Sequence, residues 1–381
     1  MAHLKRNNPC WCGSELKYKK CHLRREDQTP ENPFIIRQRF FDLQKRKYCF
    51  CEFDAENCSD VFSSSHSISK SGSLRLIAER SHVAAIQGDF QFVRGVDSFY
   101  ESLRIVDLSI NKASTFYGFC DFHDAKNFTQ LDRLDFSDPP QFFWQMLYRA
   151  VAFEKYHKVV AVDFSDQVRL LDKGANLSEQ LQMQFEARFQ KWSHGEGLKN
   201  LNLLLKTIEN VGERRSFDEI SYSYFVTGRR LPFAGVGCFQ PSMTMDGEEL
   251  QRVNRVLPHE LFGSSAISES VCVAAIPMKS ATLLCLCSLR RHTKAGKFMK
   301  SIMSKTERTA SIFLGAMMLS IENMYFTPSY LKALSYVPIS ELKRLSSLGI
   351  AEDIKENDIR LARAVTLFDD VSIVDRGTSN L

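Results

Sequence analysis

The residues best equipped for chemistry cluster near the start of the chain. Seven of the eleven cysteines fall within the first 120 residues, six of them before residue 60, and most stand close to a histidine. The tightest group reads Asn8-Pro-Cys10-Trp-Cys12-Gly-Ser-Glu-Leu-Lys-Tyr-Lys-Lys-Cys21-His22, a C-x-C-x8-C-H pattern. Three thiolates and an imidazole form a donor set for zinc, which takes four such ligands in a tetrahedron. Gly13-Ser14 supplies the turn that brings the two pairs together, and Lys17, Lys19 and Lys20 offset the thiolate charge. Four protein ligands leave no open position. The expectation is therefore a structural zinc site made by Cys10, Cys12, Cys21 and His22, not a catalytic one.

This segment resembles the SEC-C motif, whose usual form is P-C-P-C-G-S-G-K-K-Y-K-K-C-H. Pro9, Cys10, Cys12, Gly13, Ser14, Lys17, Tyr18, Lys19, Lys20, Cys21 and His22 match, whereas Trp11, Glu15 and Leu16 depart from it without touching a ligand position. In the tail of the bacterial preprotein translocase ATPase the motif engages a chaperone, and it is appended to many unrelated bacterial proteins. The resemblance thus implies a docking or stabilising appendage.

A second constellation spans Cys49, Cys51, Cys58, His66, Cys120 and His123. Cys120-x2-His123 has the spacing of a zinc-knuckle pair. The opening pair is Cys51 with Cys58, or Cys49 with Cys58, so the expected ligands are Cys51 (or Cys49), Cys58, Cys120 and His123. The region from 48 to about 130 resembles the treble-clef finger of HNH nucleases. On that resemblance His66, in Ser65-His-Ser-Ile, takes the place of the catalytic strand histidine. Asp124 stands where the family has its final metal-binding histidine, and Asn111 is the nearest candidate for the central Asn. A nuclease of this kind activates water with His66 and uses Mg2+ or Mn2+ at the scissile phosphate. His66 as a further zinc ligand, in a finger without activity, is the competing expectation.

The rest of the composition bounds these readings. The chain has 381 residues, 44% hydrophobic and 25% charged, with 29 phenylalanines, which suits sizeable cores in a soluble protein. No apolar run approaches the roughly 20 residues of a membrane span, and the first ten residues lack the apolar centre of a secretory signal. A cytoplasmic location is expected, with reduced thiols. The net charge is only +5, but residues 1–50 hold twelve Lys or Arg against five Asp or Glu. That basic region is the expected contact for a protein or nucleic-acid partner, with a purely structural scaffold protein as the further alternative. A second basic strip, Arg290-Arg291-His292 with Lys294, Lys297, Lys300 and Lys305, could meet nucleic-acid phosphates but reads more simply as a solvated helix face.

Periodicity supplies the elements. Helices are expected from about 35 to 47, over 74–82 and over 142–157. Another is expected over 177–211, broken by Gly195 and Gly197 into a helical hairpin. Its apolar stripe, Leu181, Phe185, Phe189 and Trp192, then Leu198, Leu201, Leu204, Leu205 and Ile208, could serve as a partner surface but reads most simply as core. Strands are expected at 61–69, 220–226, 271–277 and 281–289, the last two joined by a turn at Lys279-Ser280, and helices return from 294 to the tail. The expected fold class is α+β with an antiparallel sheet. The expected domains are a zinc module at 1–25, a linker and basic helix at 26–47, a Cys/His finger region at 48–135, and an α+β body at 136–381.

Overall fold

The structure, a computed structural model, describes residues 5–88, 103–251, 268–319, 321–334, 339–340, 342–343, 371–379 and 381. Eight helices run through them. They are α1 (Pro33–Leu43), α2 (Arg75–Ile77), α3 (Asp121–Arg133), α4 (Pro139–Val168), α5 (Leu177–Arg214), α6 (Thr293–Met303), α7 (Glu307–Leu319) and α8 (Pro328–Ala333). The strands are β1 (Ser65–His66), β2 (His82–Gly88), β3 (Leu103–Ser109), β4 (Thr115–Phe116), β5 (Ile220–Thr227), β6 (Phe233–Phe239), β7 (Val271–Pro277), β8 (Thr282–Leu289), β9 (Met324–Phe326) and β10 (Ile373–Ser379).

These elements form two compact units. One comprises residues 1–46 and 155–202, the other residues 47–154 and 203–381. The chain passes between them inside α4 and α5. The segment expected as a separate 136–381 body is thereby shared between both units. The 1–25 module and residues 26–46 fall in one unit with the end of α4 and the start of α5.

The larger unit is built on an eight-stranded antiparallel sheet of order β10-β5-β8-β7-β6-β9-β2-β3. The expected hairpin is there: Met278 N donates to Ala281 O at 2.8 Å, with Lys279-Ser280 at the turn. The run Val271–Pro277 and the run Thr282–Leu289 are buried on both faces, which explains why they show no polar alternation. One face packs Phe225, Val273, Leu284 and Leu286 against Phe298, Met299 and Ile302 of α6 and Leu314 and Met317 of α7. On the other face Phe143 of α4 stacks on Tyr222 at 4.3 Å, and the Cys285 Sγ lies 3.7 Å from the Met146 Sδ. Helix α6 buries residues 295, 298, 299 and 302, one apolar face at helical spacing. The Glu269 carboxylate closes its N-terminus by accepting from Lys294 N and Ala295 N. Along its outer side Lys297 pairs with Glu248 and Lys305 with Asp246.

Several expectations fail for identifiable reasons. Gly195 and Gly197 do not break a helix, because α5 runs unbroken from Leu177 to Arg214. A mid-helix glycine costs only about 1 kcal/mol relative to alanine, which a long packed helix absorbs. The hairpin is instead made by α4 and α5, joined through a 3-10 turn at Arg169–Asp172. In the smaller unit Lys191 pairs with Asp166 at 2.6 Å and Arg169 with Gln184 at 2.9 Å, an antiparallel arrangement. Of the strand expected over 61–69 only Ser65–His66 forms, and the helix expected over 74–82 shrinks to Arg75–Ile77 before β2 begins. The described end of the tail is a strand, β10, paired with β5. Most of the expected helical tail lies outside the described residues.

Candidate metal centres

The first cluster lies in the smaller unit. Cys10 N donates to Leu16 O at 2.8 Å, and Pro9 bridges Lys17, so the segment folds back on itself. The reversal passes through Gly13 at φ +73°, a left-handed conformation that glycine adopts without strain. A 3-10 turn at Tyr18–Lys20 then delivers Cys21 and His22 to the same point. The His22 Nδ1 is 3.2 Å from the Cys10 Sγ and 3.1 Å from the Cys21 Sγ, and the Cys12 Sγ is 3.5 Å from the Cys21 Sγ. All four donor atoms lie within 4.8 Å of one another. A tetrahedron with metal bonds of 2.0–2.3 Å has edges of about 3.3–3.8 Å, so the set fits zinc with little adjustment. The Trp11 ring, at the position where the motif has proline, lies 4.4 Å from the His22 ring and covers it. Burial pushes the Cys10 thiol up to about 12 and raises Cys21 as well. At Cys12 burial is outweighed by the Ser14 hydroxyl and amide, which bring the thiol down to about 7.

The far side of His22 fixes how the cluster is held. Its Nε2 donates to the Asp172 Oδ2 at 2.7 Å. Asp172, completely buried in the turn between α4 and α5, also accepts from the Arg25 Nε at 2.7 Å and the Gln184 Nε2 at 2.7 Å. Burial would raise the Asp172 carboxyl, but these donors hold it below the ordinary carboxylate range. Because Nε2 carries the proton, Nδ1 presents its lone pair to the thiols, the tautomer that ligation needs. The Arg169 Nη2 donates to Cys12 O at 3.1 Å, and the Arg188 guanidinium fills the space beside Gly13.

The second cluster lies in the larger unit and joins Cys49, Cys58, Cys120 and His123. Its ligands come from three places. Cys49 sits in an extended segment where Tyr48 N donates to Tyr117 O and Phe50 N to Gly118 O. Cys58 follows a 3-10 turn at Ala55–Asn57, and Cys120 and His123 open α3. The His123 Nδ1 is 3.1 Å from the Cys120 Sγ, 3.3 Å from the Cys49 Sγ and 3.8 Å from the Cys58 Sγ. Burial raises Cys49 and takes Cys58 to about 12. The amides of His123 and Ser59 overcome burial at Cys120 and bring it to about 6. Here too the histidine Nε2 donates to a carboxylate, Asp54 Oδ2 at 3.2 Å, which also accepts from the Lys126 Nζ at 2.6 Å. Lys126, then the Asn57 amide, pull the Asp54 carboxyl down to about 2.

Cys51 is not part of this group, which corrects one of the expected ligands. The extended segment runs beside α3, where a step of two residues (~6.6 Å) nearly matches one helical turn of four (~6 Å). Cys49 therefore meets His123, and Cys51 meets Asn127, whose Nδ2 lies 3.7 Å from the Cys51 Sγ. Burial pushes the Cys51 thiol up to about 12, the state of a core thiol.

His66 lies outside the cluster as well. It lies on β1, whose partner β4 precedes α3, so the order is strand, strand, helix. Its Nε2 donates to Ile110 O at 3.1 Å, and burial lowers its pKa. The Asp124 Oδ1 lies 3.7 Å from the Nη2 of Arg149, a fully buried side chain that also grips both oxygens of Asp132 at 2.6 and 3.0 Å. The same guanidinium lies 4.2 Å from the centre of the Phe128 ring. Asn111 is exposed in the turn after β3. Sequence reasoning missed Asp172 and Asp54, the carboxylates behind the two histidines. Neither has a local signal, since Asp172 stands 150 residues from His22 and Asp54 stands 69 from His123.

Among known protein families, residues 6–24 match the SEC-C motif. No curated protein and no solved structure matches the chain. No helix among the described residues is long and apolar enough to cross a membrane.

Proposed function

We propose that this is a zinc-dependent binding protein in which both Cys/His clusters are closed structural sites, with the SEC-C module acting as a brace for the unit that meets a partner. One observation carries the reading: the two clusters are wired alike. Each gathers three thiols around a histidine Nδ1, and each turns the histidine Nε2 onto an aspartate that is itself held by a cation. This carboxylate–histidine arrangement orients a ligand and raises its basicity. A metal bound there supplies folding energy through four protein bonds and has no position left for substrate. The partner, a protein or a nucleic acid, is met through the basic N-terminal region.

The nuclease reading has one observation in its favour, the strand–strand–helix order that puts His66 on the first strand. Arg149 argues against it. A guanidinium paired with Asp124 and Asp132 occupies the electrostatic role that a Mg2+ or Mn2+ ion would need those carboxylates to fill.

Elemental analysis tests the proposal. The wild-type chain should carry two zinc equivalents, and Cys10→Ser with Cys12→Ser should remove one, as should Cys120→Ser. Unchanged zinc in the double variant would remove the basis of the first site. Cleavage of DNA or RNA by the wild type with added Mg2+ or Mn2+, abolished by His66→Ala at full zinc content, would establish the nuclease instead.

A further inference from the structure

Helix α5 is inverted where it lies in the smaller unit. The side chains it buries there are Gln180, Gln184 and Ala187, with Gln184 bonded to Asp172 and to Arg169. The side chains it exposes include Leu177, Leu181, Phe185 and Phe189, the last three 37, 56 and 37% exposed. At 100° per residue, successive steps of four residues keep these on one slowly turning stripe. The Phe185 and Phe189 rings are nearly parallel, with centroids 6.4 Å apart. The first part of the stripe read from the sequence as core is therefore a surface, while Leu204, Leu205 and Ile208 farther along are buried as expected. A row of large apolar side chains outside and glutamines inside is the reverse of what an isolated helix pair needs.

The border of this stripe is charged. Arg188, between Phe185 and Phe189 in the sequence, places its guanidinium 3.2 Å from where a Gly13 side chain would begin. The zinc module is thus seated along one side of the stripe. It presents Lys17, Lys19 and Lys20, all exposed, together with the exposed Leu16. The module's own carboxylate there is the exposed Glu15, whereas Glu186 bonds Gln182 on the opposite edge of the helix.

We infer that the Leu181–Phe185–Phe189 stripe and the adjoining lysine-bearing turn form one docking surface for an amphipathic helix of another protein, apolar on one side and acidic along its edges. The inference rests on the partner-binding reading above and names the class of partner. Aliphatic leucines extending the row beyond the phenylalanines match helix side chains at three- and four-residue spacing, the groove-binding mode of helical ligands. The cations on the module side select acidic flanks and steer association.

The test uses the full-length zinc-loaded protein and a labelled synthetic helix with leucines on one face and glutamates elsewhere, followed by fluorescence anisotropy. The peptide should bind, and binding should weaken as salt is raised. Phe185→Ser with Phe189→Ser should weaken it by about tenfold or more while zinc stays at two equivalents. Lys17→Glu with Lys19→Glu should weaken it and flatten the salt dependence, again at full zinc. Equal binding of the same helix with lysines in place of glutamates would overturn the inference. So would binding of an oligothymidylate in place of the peptide, a doubling of mass that the two serine substitutions abolish, or no binding at all. Zinc content, read in the same samples, separates these failures from a failure of the zinc assignment.

Discussion

The two Cys/His clusters share a donor set and differ in what they are tied to. In the first, the ligands sit within twelve residues of one another and the supporting carboxylate comes from far along the chain. In the second, the ligands are spread over 74 residues, while Asp54 lies between two of them and stays partly exposed. The difference separates two jobs that a motif combines. Closely spaced ligands make a cluster legible and able to form early. A distant buried carboxylate makes that cluster part of a fold. The first cluster is a local loop held from far along the chain by Asp172, Arg169 and Arg188, whereas the second draws its donors from both an extended segment and a helix.

The sharpest way to break the comparison is to exchange the two neighbouring thiols of the second centre. Cys49→Ser should remove one zinc equivalent and destabilise the larger unit. Cys51→Ala should keep both equivalents and cost about 1–2 kcal/mol in denaturant melts, the price of a small core truncation. Zinc lost from Cys51→Ala and kept by Cys49→Ser would reverse the ligand assignment.

The supporting carboxylates come next. Asp172→Ala leaves Arg25 and His22 buried without their acceptor, a loss of about 3–5 kcal/mol in the stability of the smaller unit. Asp54→Ala opens onto solvent and should act mainly on the metal, lowering zinc affinity by about 10–100-fold with the melt little changed. Equal effects of the two substitutions on stability would mean that both carboxylates serve the fold in the same way.

The smallest effect is in pH. Burial lowers His157 and His194 to about 4, the latter helped by Lys158, and both lie in the smaller unit. Both are neutral in the folded state while the unfolded chain takes up protons from about pH 6.5 downward. Their contribution is therefore complete above pH 6.5 and is lost as pH falls toward 4. After solvent screening this should be about 1 kcal/mol, or about 4–8 °C in the melting of the smaller unit. Thermal melts of the variant carrying His157→Leu and His194→Asn should lose this component and keep the one due to zinc release. An unaltered acid profile in that variant would show that zinc release alone accounts for it.

What the sequence made visible follows from how local each cause is. Val271–Pro277 and Thr282–Leu289 announce themselves because a short apolar run bounded by turn residues has few other fates. The first cluster was complete in thirteen residues. The choice between Cys49 and Cys51 was not readable, since both point to the same side of an extended segment and only the helix beside it decides which meets the histidine. The unbroken α5 was hidden by two glycines whose cost is small against a long packed helix. The exposure of Phe185 and Phe189 was hidden by a rule that is usually sound, that an apolar stripe is core. Only the burial of Gln180 and Gln184 on the opposite side reveals the inversion, and that depends on Asp172, which no nearby residue foretells.

The 150 residues between His22 and Asp172 are also an interval of time. At about 5–20 residues per second of synthesis, the first four ligands are all polymerised roughly 8–30 s before the carboxylate that will hold them. The second cluster cannot close until His123 has been added, and it too precedes Asp172. The donor side chains of both clusters are thus in the chain ahead of the residue that anchors the first. For that interval the first loop carries its four donor side chains without the carboxylate that holds His22 in the finished fold.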